Sequence, residues 1–164
     1  MRFFKIIGVS ILISLFFVGC KTPQKVDKIY VNNQFQTECL GTHNDGSHTL
    51  RAWGKGKNKA IALENARKAA VSDVIFKGIS AGSGECTKKP ILNEVNARER
   101  YESFFNSFFS EGGDYMRFSS LADEKSHSRL KSSSKDMENW GAVVTVDCAA
   151  LRQYLIDQGI LNLN

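Results

Sequence analysis

The sequence predicts an α+β fold in which helices pack on one face of a small, mostly antiparallel sheet. The first observation is a helical period, because apolar residues recur at three- and four-residue steps from residue 57 to residue 79. The second is an apolar, β-branched stretch over residues 140–146, which is typical of a buried strand. Together with the shorter segments between them, these elements give the predicted order ββααββα.

Two strands and a long helix form the first half of the predicted fold. The strands are expected near residues 33–40 and 49–55, because the loop 41–47 between them is dense in turn-forming residues. The helix over residues 57–79 has a face of small side chains, which allows it to lie close against a sheet. That face is formed by Ala60, Ala62, Ala66, Ala69 and Ala70.

The second half is predicted to add a helix, an edge strand with a loop, a strong strand and a last helix. Aromatic residues at helical spacing predict the helix over residues 93–110, and the glycine pair that follows ends it. The serine-rich residues 115–135 predict an exposed edge strand and a loop. Asp147 is placed to cap the last helix, which Gly159 ends.

The N-terminus has the order of features that a signal peptide requires. Arg2 and Lys5 form a positive head, and residues 6–18 are an almost unbroken apolar run. This run fits a signal peptide and is short for a helix that spans the ~30 Å hydrocarbon core of a bilayer. A polar segment begins soon afterwards at Lys21.

The residues at the end of the apolar run resemble the lipobox of bacterial lipoproteins. They are Phe17, Val18, Gly19 and Cys20. The resemblance implies that the lipoprotein signal peptide, residues 1–19, is removed and that Cys20 carries palmitate-type acyl chains. Two or more such chains hold a protein firmly to a membrane. The alternative is an ordinary secretory signal or an N-terminal membrane anchor in which Cys20 has no special role.

After removal of residues 1–19, the rest of the chain is predicted to consist of a lipidated tether, residues 20–33, and a single α+β periplasmic domain, residues 34–164. The mature chain of about 145 residues is long enough for one domain with a hydrophobic core. Without Arg2 and Lys5 its net charge falls from +5 to about +3, which gives no indication of a nucleic-acid partner.

Lys21 determines the predicted location. In some bacteria an Asp directly after the lipidated cysteine retains lipoproteins in the inner membrane, and this chain has Lys21 at that position. No acidic run of the kind that directs surface export precedes Asp27. We therefore expect a lipid-anchored protein of the cell outer membrane that faces the periplasm.

Three cysteines follow Cys20, and a periplasmic protein can form disulfides. Cys39 and Cys86 lie in polar, loop-like surroundings, whereas Cys148 follows the apolar strand. An odd count allows one bridge within the chain, and the surroundings favour Cys39–Cys86. The competing interpretation is that these cysteines are buried free thiols.

Four residues of metal-ligand type lie close together near the first predicted loop: Cys39, His43, Asp45 and His48. Their spacing matches none of the compact zinc patterns, and a hydrophilic hairpin loop often contains such residues. The sequence therefore predicts no metal site and no cofactor.

Gly54 and Gly56 join a strand to a helix, and such a junction can bind an anion at the helix N-terminus. The third glycine of the dinucleotide fingerprint is missing, and so is the Gly-Lys-Ser/Thr of a P-loop. A glycine turn with Asn58 as the helix cap is the favoured interpretation. The HExxH motif of zinc proteases is also missing, so no catalytic residue is assigned and the chain is predicted not to be an enzyme.

A cluster of four phenylalanines stands out in the second predicted helix. Such a stripe usually belongs to the core, but two adjacent pairs span more than one helix face. A part that stays exposed would indicate a protein partner or the membrane surface. The candidates for this partner patch are Phe104, Phe105, Phe108 and Phe109.

Two segments resemble a known group of domains. Residues 50–70 combine a glycine-bearing strand with an Ala-rich helix, and residues 144–160 combine a strand with a short last helix. Together they are similar to the small bacterial lipoproteins of the twenty-kilodalton Helicobacter type and to the N-terminal part of flagellar assembly protein T. The resemblance implies a non-enzymatic component of the bacterial envelope, and it assigns no catalytic residue.

The function predicted from the sequence is a non-catalytic binding or assembly module, anchored to the membrane through lipid on Cys20. Its expected partner is another envelope protein, so envelope assembly is the predicted process. The alternative is a small-ligand or metal-binding lipoprotein, or a cryptic cell-wall hydrolase.

Overall fold

Two long antiparallel strands, β2 (His48–Gly56) and β6 (Glu138–Val146), form the centre of an α+β domain in a computed structural model that describes residues 35–130 and 137–162. They pair along their whole length, from His48 opposite Val146 to Gly56 opposite Glu138. The signal peptide, Cys20 and the tether lie outside the described residues.

Shorter strands extend the sheet on both sides. On the free edge of β2, β1 (Glu38–Thr42) pairs antiparallel, and the two-residue strand β3 (Ala81–Gly82) runs parallel beside β1. Strands β4 (Ser119–Leu121) and β5 (Ser128–Leu130) pair antiparallel with successive parts of β6, on the edge away from β2. The sheet is therefore mostly antiparallel, as the sequence predicts.

The long helix α1 (Lys59–Phe76) packs against β2 and β6. Its small side chains bring it so close that a Cβ atom on Gly54 would lie 2.1 Å from the carbonyl oxygen of Ala62 and 2.3 Å from the amide nitrogen of Ala66. Asn58 caps the helix by accepting a hydrogen bond from the amide of Ile61 at 2.9 Å. The predicted cap is confirmed, whereas Gly54 and its neighbour Gly56 belong to β2 and serve helix–sheet packing rather than a turn.

The second helical region is shorter than the predicted helix over residues 93–110, and it is broken. Helix α2 (Ala97–Arg100) follows Asn96, whose φ of 61° lies in the left-handed region. Helix α3 (Glu102–Phe108) begins after Tyr101, whose φ of −107° and ψ of 31° depart from helical values. The aromatic spacing indicates the helical turns correctly but does not show this interruption.

The segment after α3 contains more local structure than the predicted edge strand and loop. A 3₁₀ helix over Asp114–Phe118 leads directly into β4, and a second one over Glu124–Ser126 precedes β5. Residues 131–136, the end of the predicted segment, lie outside the described residues. The chain therefore passes twice along the outer edge of β6, and the two passes are joined by the loop 122–127.

The last helix, α4 (Cys148–Asp157), agrees with its prediction at both ends. Asp147 accepts a hydrogen bond from the amide of Ala150 at 2.9 Å and caps the N-terminus. Gly159 has a φ of 68°, a left-handed conformation that commonly follows a helix end. None of the helices that the structure describes combines the length and the apolar character needed to cross a bilayer.

Candidate functional site

The structure joins Cys39 and Cys86 in a disulfide, which is the pairing that the sequence favours. The two Cα atoms lie 5.8 Å apart, and both residues are buried. The bond connects β1 with the loop that follows β3, and the Ser83 hydroxyl donates a hydrogen bond to the Cys39 sulfur at 3.2 Å. A covalent link thus holds one edge of the sheet to a segment with little regular structure.

Cys148 remains a free thiol at the start of α4. Burial raises the pKa of this thiol to about 11, and the neighbouring Asp147 carboxylate adds to the rise. Its sulfur lies 3.6 Å from the carbonyl oxygen of Val146, to which the thiol donates. The thiol is therefore protonated at neutral pH and is a poor nucleophile.

The four residues of metal-ligand type have separate structural roles. The Cys39 sulfur is in the disulfide, and the His43 Nε2 atom lies 2.8 Å from the Thr49 hydroxyl. Asp45 accepts hydrogen bonds from both the amide and the hydroxyl of Ser47, which fixes the β1–β2 turn. Within the described residues, no group of three or more His, Cys, Asp or Glu side chains is arranged to hold a metal ion.

His48 is the fourth of these residues, and it faces inward at the start of β2. Only 6% of its surface is exposed, and its Nδ1 atom has no hydrogen-bond partner among the described residues. Burial lowers the pKa of its imidazole, so the ring is neutral at neutral pH. His48 therefore contributes to the interior of the sheet.

The predicted phenylalanine patch is wrong for three of its four residues. Phe105, Phe108 and Phe109 are buried in the core, and Phe104 is partly buried against it. Elements other than the sheet supply aromatic rings that cover them. These rings are Phe76 of α1, Tyr115 and Phe118 of the 3₁₀ helix, and Tyr154 of α4.

A polar network that the sequence does not indicate joins α1 to the first 3₁₀ helix. The Tyr115 hydroxyl donates to the Glu64 carboxylate, and burial together with this acceptor raises the tyrosine pKa. Arg67 donates to the carbonyl of Met116 at 2.9 Å and to the hydroxyl of Ser119 at 3.0 Å. The partners are about fifty residues apart in sequence, so no local pattern indicates their contact.

His127 takes part in the pairing of the sheet edge. Its Nδ1 atom accepts a hydrogen bond from the amide of Val143 at 3.3 Å, while the amide of Ala122 donates to the Val143 carbonyl at 2.9 Å. Between β4 and β5, the imidazole nitrogen thus accepts the hydrogen bond from β6 that a carbonyl of a neighbouring strand would otherwise accept. Burial and the nearby Lys59 lower its pKa, and Glu124 partly opposes this effect.

The side of the sheet opposite α1 has a different character, and we call it the open face. Because side chains alternate along a strand, β2 directs Thr49, Arg51, Trp53 and Lys55 to this side. The Trp53 indole lies over Gly141, its direct partner on β6, where a Cβ atom would come within 2.8 Å of the ring.

Two further contacts define the open face. The ring of Phe35, the first described residue, lies 5.0 Å from that of Trp53, measured between centroids. Arg51 forms a 3.8 Å ion pair with Glu38, with 41% and 45% of the two side chains exposed. The placement of Trp53 on Gly141 depends on the register of β2 with β6, which no local pattern in the sequence indicates.

These features define a disulfide-bonded α+β domain in which α1 covers one face of the sheet and the other face presents an aromatic pair and two cations. No protein-family model, curated protein or solved structure matches the chain. The resemblance to the Helicobacter-type lipoproteins and to flagellar assembly protein T therefore stays a prediction from the residues.

The lowered pKa values of His48 and His127 predict that the stability of the domain depends on pH. His48 and His127 both have pKa values below the ordinary 6.5, so the unfolded chain binds more protons than the folded one just below pH 6.5. We expect the melting temperature to fall by a few degrees between pH 7 and pH 5. Replacing His127 with Gln should reduce this dependence. A melting temperature that stays constant or rises on acidification would contradict the prediction.

Proposed function

We propose that this chain is a lipoprotein of the bacterial envelope, anchored through Cys20 to the outer membrane and facing the periplasm, and that its domain is a non-catalytic binding or assembly module. The observation that carries the proposal is the disulfide between Cys39 and Cys86. Disulfides persist in oxidising compartments such as the bacterial periplasm and are rare in the cytosol. The disulfide therefore agrees with the export signal that precedes the domain.

The anchor rests on the order of segments at the N-terminus. A positive head, an apolar run and a cysteine preceded by glycine are followed by the polar residues from Lys21 onward. Acyl chains on Cys20 would hold the protein at a membrane without a spanning helix. Lys21 supports transfer to the outer membrane, as described above.

The environments of the reactive side chains support a binding role. The Cys148 thiol is protonated, and the His48 imidazole is buried with a lowered pKa. Neither group has the properties of an activated nucleophile or of an accessible general base. The open face presents Arg51, Trp53 and Lys55 instead, and tryptophan is enriched both at protein interfaces and at membrane surfaces.

Metabolic labelling with palmitate tests the anchor directly. We expect labelling of the wild-type protein and complete loss of labelling in Cys20→Ser, which should also accumulate with its signal peptide uncleaved. Cys148→Ser is the matched control, because it removes a cysteine that the structure shows as a free thiol, and its labelling should equal that of the wild type. Labelling that persists in Cys20→Ser would contradict the proposal.

Affinity capture tests the binding role. The lipidated protein should be cross-linked in its own membranes and purified, and its partners identified by mass spectrometry. A specific envelope protein should be recovered with the wild type and lost or reduced when Cys20→Ser prevents lipidation and transfer to the outer membrane. Recovery of no reproducible partner would contradict an assembly role.

Protease added to intact cells should leave the protein undigested if it faces the periplasm.

A further inference from the structure

The open face lies where the tether enters the domain. Phe35 is the first described residue, and its ring contacts Trp53 on this face. Only about fifteen residues separate Phe35 from the proposed lipid on Cys20, a reach of at most about 50 Å when fully extended. The short tether therefore connects the open face to the membrane that holds the proposed lipid anchor.

From this placement we propose that the open face docks on the anionic phospholipid surface to which Cys20 is anchored. The inference rests on the proposed function, since it requires the lipid anchor. Tryptophan is favoured at the boundary between lipid chains and headgroups, because its ring is apolar and its N–H is polar. Lysine and arginine beside it are attracted to anionic headgroups.

The charges of the open face are complementary to such a surface. Arg51 and Lys55 flank Trp53 on the same side of β2, because residues two apart in a strand share a face. Glu38 is the acidic neighbour of Arg51, and at 3.8 Å with both side chains over 40% exposed it neutralises only part of that charge. The tether adds Lys21, Lys25 and Lys28 against one acid, Asp27. The tether and the open face together are cationic.

Gly141 gives Trp53 a defined position on the sheet. The six-membered ring of the indole lies over Gly141, and any side chain at position 141 would occupy the same space. Trp53 thus loses little additional side-chain freedom when it contacts a membrane. Since a short tether also keeps the local concentration of the face at the membrane high, a weak contact is sufficient.

Fluorescence quenching in vesicles tests the docking, and the chain offers a matched control. Trp53 and Trp140 are its two tryptophans, and Trp140 lies on the α1 side with the Lys59 ammonium 5.0 Å from its ring. Trp140→Phe therefore reports Trp53 alone, and Trp53→Phe reports Trp140 alone. Each lipidated full-length variant is reconstituted in phosphatidylglycerol–phosphatidylethanolamine vesicles with brominated acyl chains.

We expect quenching of Trp53 to exceed that of Trp140 by at least about twofold. The difference should shrink in neutral phosphatidylcholine vesicles, in about 1 M salt, where the Debye length is about 3 Å, and in the double variant Arg51→Ala/Lys55→Ala. Equal or negligible quenching of both tryptophans would overturn the proposal. So would loss of a captured protein partner in Trp53→Phe without any quenching of Trp53, because the face would then bind that protein.

Sedimentation with the vesicles separates failure of docking from failure of the anchor. Protein that sediments with vesicles but shows no Trp53 quenching would refute docking and leave the lipid anchor intact. If the protein purified from its own membranes carries no lipid and stays in the supernatant, both the lipid anchor and the docking would be refuted. Thermal melts of the variants show whether they are folded, and the conservative Trp-to-Phe changes are chosen to keep the aromatic packing.

Discussion

Replacing Phe108 with Ala should lower the free energy of unfolding by about 3–5 kcal/mol. Only 2% of this side chain is exposed. Its ring lies 4.9 Å from that of Phe109, 6.0 Å from that of Tyr154 and 6.3 Å from that of Phe118, measured between centroids. Truncation would leave a cavity at the point where α3, the 3₁₀ helix over Asp114–Phe118 and α4 meet around this ring. Urea denaturation measures the change.

Phe104→Ala is the control for Phe108→Ala. Phe104 is partly buried, and its ring stacks on Phe108 at 5.7 Å and lies 6.2 Å from Tyr154. We expect a loss of only about 1–2 kcal/mol, because part of its surface is already in contact with water. If Phe104→Ala destabilised the domain as much as Phe108→Ala, the assignment of Phe108 to the core centre would be wrong.

The second large effect is expected from removal of the disulfide. The double variant Cys39→Ala/Cys86→Ala should lose about 2–5 kcal/mol of stability, since the bond closes a loop between residues 47 positions apart. The unfolded chain gains the freedom that the bond removes, and the loop after β3 loses its link to β1. Reducing agent should shift the wild-type denaturation midpoint in the same direction.

Cys148→Ala is the matched control for the disulfide, because Cys148 is a free thiol and its removal breaks no covalent link between segments. Its effect should be clearly smaller, and reducing agent should leave the difference between Cys148→Ala and wild type unchanged. A wild-type midpoint that does not move on reduction would contradict the structural importance of the Cys39–Cys86 bond.

The elements that local patterns specify were predictable from the sequence. The helical period identifies α1, β-branched residues identify β6, and Asn58 and Asp147 cap the helices as expected. Each of these features depends on residues within a few positions of one another. The α+β fold class follows from their order along the chain.

The interactions that the sequence did not indicate join residues far apart in the chain. Tyr115 reaches Glu64 across 51 positions, and His127 pairs with Val143 because β4 and β5 share one edge of β6. The burial of Phe105, Phe108 and Phe109 was not predictable for the same reason, because their cover comes from elements distant in sequence. Trp53 required the β2–β6 register before its position over Gly141 was evident.

The intact mass of the protein purified from its own membranes shows whether the chain is processed and lipidated at Cys20. We expect a chain that begins at Cys20, carries a diacylglyceryl group and an amide-linked acyl chain, and has one internal disulfide and one free thiol. Partial reduction and alkylation should assign the thiol to Cys148 and the disulfide to Cys39 and Cys86. A chain that begins at Met1, or a processed chain without lipid, would show that Cys20 is not the lipidated first residue.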